Sequence, residues 1–463
     1  MAEVPVMRLP DYLVNDPGLL TIPRDRLRDL QGERLRAMVR YVYERSPFWR
    51  EKLEQVGTAP EDVRGVDDIG RLPTCTKQEL QREQEEHPPL GRYVCTDRAE
   101  WVRFFATSGT TGRPLRRVFS ARDWGYMIDR FTRQSPWTPD DVILLTLPID
   151  GAAGPTAGME AAAHAGALVI AGGLWSTERK IDTMVSLRPT SITGSTSYLL
   201  HLTEVARKKG IDLSSLGVRT VACIGEPGAA LDSTRAKISG RFGGAAVTDG
   251  YGMTEVFPLG GNCAFDRSIH LAEDIVLVEC LRPGGNEPVE PGELGELVYT
   301  NIVGDTQPLL RYRSGDLGRL SDGSPCGCGV THLRIQGSVE GRADDMIWYR
   351  GANFFPSAVE SAISSVEGVA SEHQIVLTDD DAGFPHLTVR VEREDTRDDT
   401  RQYVAASAHQ IGSALGIALK EALGVTAEVE VLPSGALPRP SPGAKARRVL
   451  DQRHQSNRTE EAR

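Results

Sequence analysis

Thr107-Ser108-Gly109-Thr110-Thr111-Gly112-Arg113-Pro114 is the stretch on which the reading of this chain turns. Hydroxyl and glycine residues are concentrated there at a density suited to wrapping an anion, because bare backbone N–H groups and short hydroxyls approach phosphate closely. A Walker A loop ends in Gly-Lys-Ser/Thr, whose lysine reaches the terminal phosphates. Here Gly112 is followed by Arg113-Pro114, which disfavours an ordinary P-loop kinase or GTPase. The plain alternative is a flexible Ser/Thr/Gly loop, and the rest of the chain decides between the two.

A length of 463 residues predicts one large domain with a smaller one, or two to three domains. Hydrophobic residues at 40% and charged residues at 25% are near globular averages and argue against long disorder. A net charge of −11 makes nucleic acid an unfavourable ligand, so any bound anion must be met by local groups. No apolar run is long enough to span a membrane, and Met1-Ala2-Glu3-Val4-Pro5 lacks the basic start of a secretory signal. The expectation is a soluble cytoplasmic protein without a membrane partner. Seven cysteines, an odd number, do not form a disulfide framework in such a chain; metal ligation or buried thiols are the alternatives.

Helical spacing of Leu27, Leu30, Leu35, Met38 and Val42 runs from Arg24 to Gln55, interrupted at Ser46-Pro47. An N-terminal helical region over about 24–100 follows from it. From Val142, short apolar runs (Val142 to Leu147, Ala167 to Ala171, Thr190 to Gly194, Val218 to Ile224) alternate with helical stretches (Ala157 to Ala165, Thr177 to Leu187, Tyr198 to Lys208). That alternation predicts β-α units on a mainly parallel sheet, with ligands beyond the C-terminal ends of the strands. Ser197 is placed as a helix N-cap and Gly210 as a left-handed helix end. The Pro/Gly/Glu-rich stretch from Pro283 to Gly295 leads into a strand at Glu296 to Thr300, where the large domain turns β-rich. After Gly341, strands at Gln374 to Leu377, His386 to Val391 and Ala427 to Leu432 surround a helix at Tyr403 to Leu423. This is a small α+β domain over 341–463, following a large domain over 1–340.

Taken in order, these blocks resemble the adenylate-forming (acyl-CoA synthetase) superfamily, and more narrowly its phenylacetate-CoA ligase-like branch. The resemblance rests on Tyr43-Glu44-Arg45-Ser46-Pro47-Phe48-Trp49, the loop 107–114, Gly225-Glu226-Pro227, Tyr251-Gly252-Met253-Thr254-Glu255, and Arg311-Tyr312-Arg313-Ser314-Gly315-Asp316. Gly341-Arg342-Ala343-Asp344-Asp345-Met346, Arg350-Gly351-Ala352-Asn353-Phe354-Phe355-Pro356 and Lys445-Ala446-Arg447-Arg448-Val449 complete it. It implies an α/β fold with a large adenylate-forming domain and a small mobile α+β domain. It also implies an AMP-forming ligase that joins a carboxylate to the α-phosphate of ATP with release of pyrophosphate. Two anions must be brought together, so charge neutralisation and positioning carry that chemistry.

The resemblance assigns ATP binding to Thr107, Ser108, Gly109, Thr110, Thr111, Gly112, Arg113, Glu226, Pro227, Asp249, Tyr251, Gly252, Met253, Asp316 and Arg342. Tyr251 would stack on adenine and Asp316 would accept from the ribose hydroxyls. Thr254 would stand near the α-phosphate, and Glu255 would ligate Mg²⁺ through oxygen. The plain reading of Glu255 and Asp316 is a capping or salt-bridged carboxylate. Lys445 is the expected catalytic lysine of the first half-reaction, an ammonium suited to charge building on both reactants; otherwise it is a solvated tail lysine beside Arg447 and Arg448. The branch pattern has glycine directly before this lysine, whereas here Gly443-Ala444 precedes it. Asp344 falls at the family's hinge, flanked by Gly341 and Gly351, or is a loop aspartate bonded to Arg342.

Cys326-Gly327-Cys328 and the pair Cys263, His270 in the pattern Cys-x₆-His offer four ligands for a tetrahedral structural Zn²⁺, with reduced thiols in a Gly-rich turn as the alternative. His332 competes with His270 for that role. Cys75, Cys95, Cys223 and Cys280 read as small buried hydrophobes, and Trp101, Phe104 and Phe105 as core. In the acid pocket the branch's aromatic residues are replaced by Pro148-Ile149-Asp150-Gly151-Ala152, and the tryptophan after Gly-Glu-Pro by Gly228. Ile149, Asp150, Gly151 and Gly228 thus describe a widened pocket in which Asp150 faces a polar or amino substituent, and the expected acid is a substituted aromatic one. Coenzyme A is the first acceptor considered, with a carrier-protein thiol or an amine, including nitrite activation and N–N bond formation, as alternatives. A non-catalytic nucleotide-binding homologue is the reading from another class, and a homodimer is common among relatives.

Overall fold

A computed structural model describes residues 17–107, 114–135, 137–149, 153–225, 229, 231–263, 265–345, 347–350, 352–379, 385–394, 407–439 and 448–453. The N-terminal region opens with helix α1 (Arg24–Arg45), which turns Leu27, Leu35, Met38, Val39 and Val42 inward. Ser46 breaks it, and its Oγ accepts from the Trp49 amide at 3.1 Å, with Pro47 in the first turn, to start α2 (Pro47–Gln55). Trp49 is fully buried and its indole N–H donates to the Pro308 carbonyl at 3.1 Å, which pins the helical region to the β-rich part of the domain. Helix α3 (Lys77–Glu86) starts from a reciprocal capping box between Thr76 and Glu79.

The central sheet has eight strands among the described residues, in the order Arg334–Ile335, Ile269–Leu271, Phe257–Gly261, Ala246–Met253, Thr220–Ile224, Ser191–Gly194, Val142–Leu145, Leu168–Ala171. Pairing is parallel from Ala246–Met253 outward to Leu168–Ala171 and antiparallel on the other wing. Helices α4 (Ala121–Gln134), α5 (Ala153–His164), α6 (Thr177–Leu187), α7 (Thr196–Lys208) and α8 (Asp232–Arg241) complete the β-α units. A core of Leu144, Ile181, Ile192, Leu199, Leu202, Val221 and Ile238 joins α6, α7 and α8 to the parallel strands. Gly210 has φ +72°, the left-handed helix end expected of it. The cap assignment of Ser197 is corrected: α7 begins at Thr196, so Ser195 holds the cap position and Ser197 is buried within the first turn. The chain turns into the helix straight from the end of Ser191–Gly194, two residues earlier than the polar pattern implied.

A second sheet runs antiparallel through Val276–Leu281, Leu294–Asn301 and Tyr312–Arg319, with Cys75–Thr76 added in parallel to Tyr312–Arg313 and Gly341–Arg342 opposite Asp316–Leu317. Beyond it, the hairpin Ile347–Tyr349/Ala352–Phe354, α9 (Pro356–Ser364) and α10 (Ala408–Leu423) pack on a sheet ordered Glu428–Leu432, Pro385–Arg393, Val369–Asp379, Val449–Asp451. The core of this small unit includes Tyr349, Phe354, Val359, Ile375, Val389 and Leu415. Cys75, Cys95, Cys223 and Cys280 are buried thiols as expected. Phe105 is buried, but Phe104 is 58% exposed, because alternation along Trp101–Ala106 sends the two rings to opposite faces. No described helix is long and apolar enough to cross a membrane.

Arg311 opens the strand Tyr312–Arg319 from a left-handed conformation, φ +41°. Its guanidinium meets Glu279 through two hydrogen bonds of 2.9 Å and donates to the Leu72 carbonyl at 3.1 Å. It therefore joins the strand to the segment leading into α3. Breaking a buried pair of this kind costs about 3 kcal/mol, so Arg311→Met is expected to lower the unfolding free energy by that order, read as an earlier denaturant midpoint.

Candidate nucleotide and acid site

The phosphate-type loop is carried on a hairpin in which Trp101–Ala106 pairs with Arg116–Ser120. Thr107 closes it: its amide donates to the Leu115 carbonyl at 2.9 Å and its Oγ1 accepts from the Leu115 amide at 3.1 Å. The Gln84 side chain of α3 brackets Arg116, accepting from its amide at 3.0 Å and donating to its carbonyl at 2.7 Å. Ser108, Gly109, Thr110, Thr111, Gly112 and Arg113 lie outside the described residues, so the structure gives their stem and not their contacts.

Asp249, Tyr251, Gly252 and Met253 lie along the C-terminal half of Ala246–Met253, and Thr254 and Glu255 in the turn after it. This is the end of a parallel sheet at which ligands gather. Tyr251 Oη donates to Asp316 Oδ2 at 2.6 Å, and Arg342 Nη1 donates to Asp316 Oδ1 at 3.0 Å. The Asp316 amide donates to Ser314 Oγ at 3.0 Å, and Tyr299 Oη donates to Tyr251 Oη at 3.3 Å. Burial first, and then the Asp316 charge, holds the Tyr251 phenol well above its ordinary range, so it stays a donor. Tyr251, Asp316 and Arg342, far apart in sequence, thus form one hydrogen-bonded set.

Glu255 is buried, with its carboxylate 3.1 Å from Lys77 Nζ. Lys77 was missed by motif reasoning, although Thr76-Lys77-Gln78-Glu79 is a legible capping box that places it at the first position of α3. Two residues past Glu255, Phe257 holds φ +85° with its ring buried, a costly conformation for an aromatic residue. Strain is therefore stored beside the acidic turn.

The cysteine-rich segments converge on the antiparallel wing. Cys263, His270, Cys326 and Cys328 place their ligand atoms within 4.8 Å of one another. Cys263 Sγ is 3.7 Å from Cys326 Sγ, and Cys328 Sγ is 3.7 Å from His270 Nε2. Burial is the main cause that lowers His270 to about 4, so the imidazole is neutral at pH 7 and available as a ligand. His332 does not compete: its ring is buried against the Leu271 carbonyl (Nδ1, 2.9 Å) and the Leu19 carbonyl (Nε2, 2.8 Å). Gly260 allows the wing to close, since a Cβ there would stand 1.9 Å from the His270 carbonyl oxygen.

Of the remaining expected residues, Asp344 is in the turn Ala343–Asp345, between Gly341–Arg342 on the second sheet and Ile347–Tyr349 in the core of the small unit. Arg342 pairs with Asp316. Ile149 is described, and its carbonyl accepts from Thr156 Oγ1 at 3.1 Å. Asp150, Gly151, Glu226, Pro227, Gly228 and Lys445 lie outside the described residues.

Burial raises Asp249 from an ordinary value of 3.8 to about 7, opposed by the hydrogen bond from Ser338 Oγ at 3.2 Å. A carboxyl raised in the folded state favours folding most below its unfolded pKa, about 3.9. That contribution is lost as pH rises from there through about 7. Asp249→Asn in nucleotide-free protein is thus expected to raise the melting temperature at pH 8 and to leave it nearly unchanged at pH 4, measured by scanning calorimetry.

Comparison with known proteins identifies the family. A family model described as AMP-binding enzyme matches residues 33–302, and the AMP-binding enzyme C-terminal domain matches 351–453. The phenylacetate-coenzyme A ligase of Thermus thermophilus is 33% identical over 95% of this chain and 100% of its own, and that of Escherichia coli is 29% identical over 93% and 96%. A 2-hydroxyisobutyryl-CoA ligase in its postadenylation state, bound to 2-HIB-AMP, superposes with a TM-score of 0.87 at 27% identity, covering 99% of this chain and 97% of that one. The same ligase in its thioesterification state scores 0.69 over 100% and 98%. The chain belongs to the AMP-binding enzyme family and is an AMP-forming ligase resembling the phenylacetate-coenzyme A ligases.

Proposed function

We propose that this protein activates a carboxylic acid, in particular a substituted aromatic acid, as its acyl-adenylate and transfers the acyl group to coenzyme A. The observation that carries the reading is the Tyr251–Asp316–Arg342 set beside the Glu255–Lys77 pair, at the strand end where a nucleotide would lie. The relatives named above support the acceptor, and the small residues around Ile149, Asp150, Gly151 and Gly228 support a pocket larger than phenylacetate requires.

In the first half-reaction the acid's carboxylate oxygen attacks the α-phosphorus, the α–β bridge bond breaks, and pyrophosphate leaves. Asp316, held from both sides by Tyr251 and Arg342, accepts from the ribose hydroxyls. Thr107 anchors the stem of the loop whose hydroxyls and amides would bind the β- and γ-phosphates. Glu255, a buried carboxylate at this strand end whose counter-charge is Lys77, would be the oxygen ligand of Mg²⁺, which would supply charge neutralisation at the phosphates. Lys445 brings its ammonium between carboxylate and α-phosphate. In the second half-reaction the coenzyme A thiolate attacks the acyl carbonyl and AMP leaves, after a swing of the small domain about Asp344.

Pyrophosphate release is to be measured across phenylacetate, hydroxy- and aminobenzoates, cinnamates and 2-hydroxyisobutyrate, each with and without coenzyme A. One aromatic acid is expected to give a thioester. Lys445→Ala should lower its pyrophosphate release by about 10²–10³-fold and leave thioester formation from supplied acyl-adenylate intact. Release that ignores coenzyme A would move the acceptor to a carrier thiol or an amine.

Cys263, His270, Cys326 and Cys328 are further proposed to hold a structural zinc. Zinc–sulfur bonds of about 2.3 Å in a tetrahedron put sulfurs about 3.8 Å apart, close to the 3.7 Å between Cys263 and Cys326. Four protein ligands leave no open position, so the metal has no part in catalysis. Purified protein is expected to contain one zinc per chain by elemental analysis, and Cys326→Ser far less.

A further inference from the structure

The small domain buries a carboxylate that the mechanism above does not use. Glu392, next to last in Pro385–Arg393, has a fully buried side chain. Its Oε1 accepts from the Leu437 amide at 2.6 Å, and its Oε2 accepts from the Gly435 amide at 2.9 Å and from Arg439 Nη2 at 2.7 Å. One carboxylate thus gathers three donors from a single short turn, in which Gly435 holds φ +87°. A buried charge is tolerated when it is paired and hydrogen-bonded in this way. Arg439 is gripped a second time, with Nη1 3.7 Å from Glu372 Oε2. Glu372 belongs to Val369–Asp379, the small-domain strand that packs against α7 of the large domain, so the turn ends near the junction of the two domains.

In sequence Lys445 lies six residues after Arg439 and three before Arg448. Arg448 is also anchored: Nη1 donates to Glu360 Oε1 at 2.6 Å, and its carbonyl accepts from the Ile375 amide at 2.7 Å, beside the pairing of Val449–Asp451 with Val369–Asp379. Arg439 and Arg448, on either side of Lys445 in sequence, are therefore fixed to the small domain by separate acidic side chains, Glu392 and Glu360.

We propose that Glu392 is a positioning residue for adenylation: it sets the turn Gly435–Arg439, and through Arg439 the point from which the chain carrying Lys445 departs. This rests on the ligase reading and on the role given there to Lys445. A lysine that must meet two anions at once loses most of its effect when its base moves by an ångström. Coenzyme A transfer does not use that lysine and is indifferent to the turn.

The test takes the full-length protein with the acid of the above panel that releases most pyrophosphate. Glu392→Gln, Arg439→Met and the double variant are assayed for pyrophosphate release and, separately, for thioester formation from the supplied acyl-adenylate and coenzyme A. Glu392→Gln is expected to lower kcat for pyrophosphate release about a hundredfold with little change in the acid's KM. Thioester formation should stay within about twofold of the unaltered protein. Arg439→Met should reproduce the split, and the double variant should be no worse than the single ones, because the two side chains act as one unit. Parallel loss of both half-reactions together with a lower melting temperature in both single variants would reduce Glu392 to a structural carboxylate and overturn the proposal. So would pyrophosphate release that is unchanged. Lys445→Ala, run alongside, separates the two levels: if it leaves pyrophosphate release untouched the ligase assignment of Lys445 fails first, whatever Glu392 does.

Discussion

The Arg311–Glu279 pair is the contact on which the arrangement of the site depends. It fixes where the strand Tyr312–Arg319 begins, and that strand positions Lys77, Asp316 and Arg342 through its neighbours. One neighbour, Cys75–Thr76, runs parallel to it and launches α3 with Lys77 in its first turn. On the same strand, the segment opposite Gly341–Arg342 carries Asp316 and receives the Arg342 guanidinium. A guanidinium suits this task because its planar fork holds a carboxylate by two bonds and still has a donor for the Leu72 carbonyl. The arginines of the block Arg311 to Asp316 are thus occupied with protein carboxylates, Arg313 with Glu296 as Arg311 is with Glu279. The aspartate that ends the block is bonded instead to Tyr251 and Arg342.

Charge is managed differently in the three working regions. Around Asp316 the acid is matched by a phenol and a guanidinium, so the carboxylate is oriented before any ligand arrives. Around Asp249 desolvation dominates and the carboxyl is held up to about 7, poised between its two forms near neutral pH. In the small domain Glu392 is buried and fully engaged by donors of one turn. The three settings differ in what surrounds each acid: two side-chain donors at Asp316, a desolvated strand position at Asp249, and the amides and arginine of one turn at Glu392.

Much of this was legible in the order of the motifs. The parallel β-α alternation, the interruption at Ser46-Pro47, the buried thiols and the small α+β unit all follow from periodicity and turn chemistry. The four residues singled out in the sequence, Cys263, His270, Cys326 and Cys328, do come together, because the strand carrying His270 and the segments carrying the cysteines border the same antiparallel wing. Boundaries were less legible: α7 starts before the polar cap signal at Ser197, and Phe104 faces outward although it is as apolar as Phe105. Local pattern cannot report which face of a two-stranded hairpin is covered.

What the sequence determined by itself was the family and the two-domain plan, since these depend on short motifs whose chemistry is local. The tertiary structure decided which charges meet. Lys77 reaches Glu255 across a separation of 178 residues, Glu392 collects a turn more than forty residues downstream, and Phe257 is held at a positive φ by the strands around it. Pairing energies of this kind depend on distance and on exclusion of water, and neither is written in the spacing of residues along the chain.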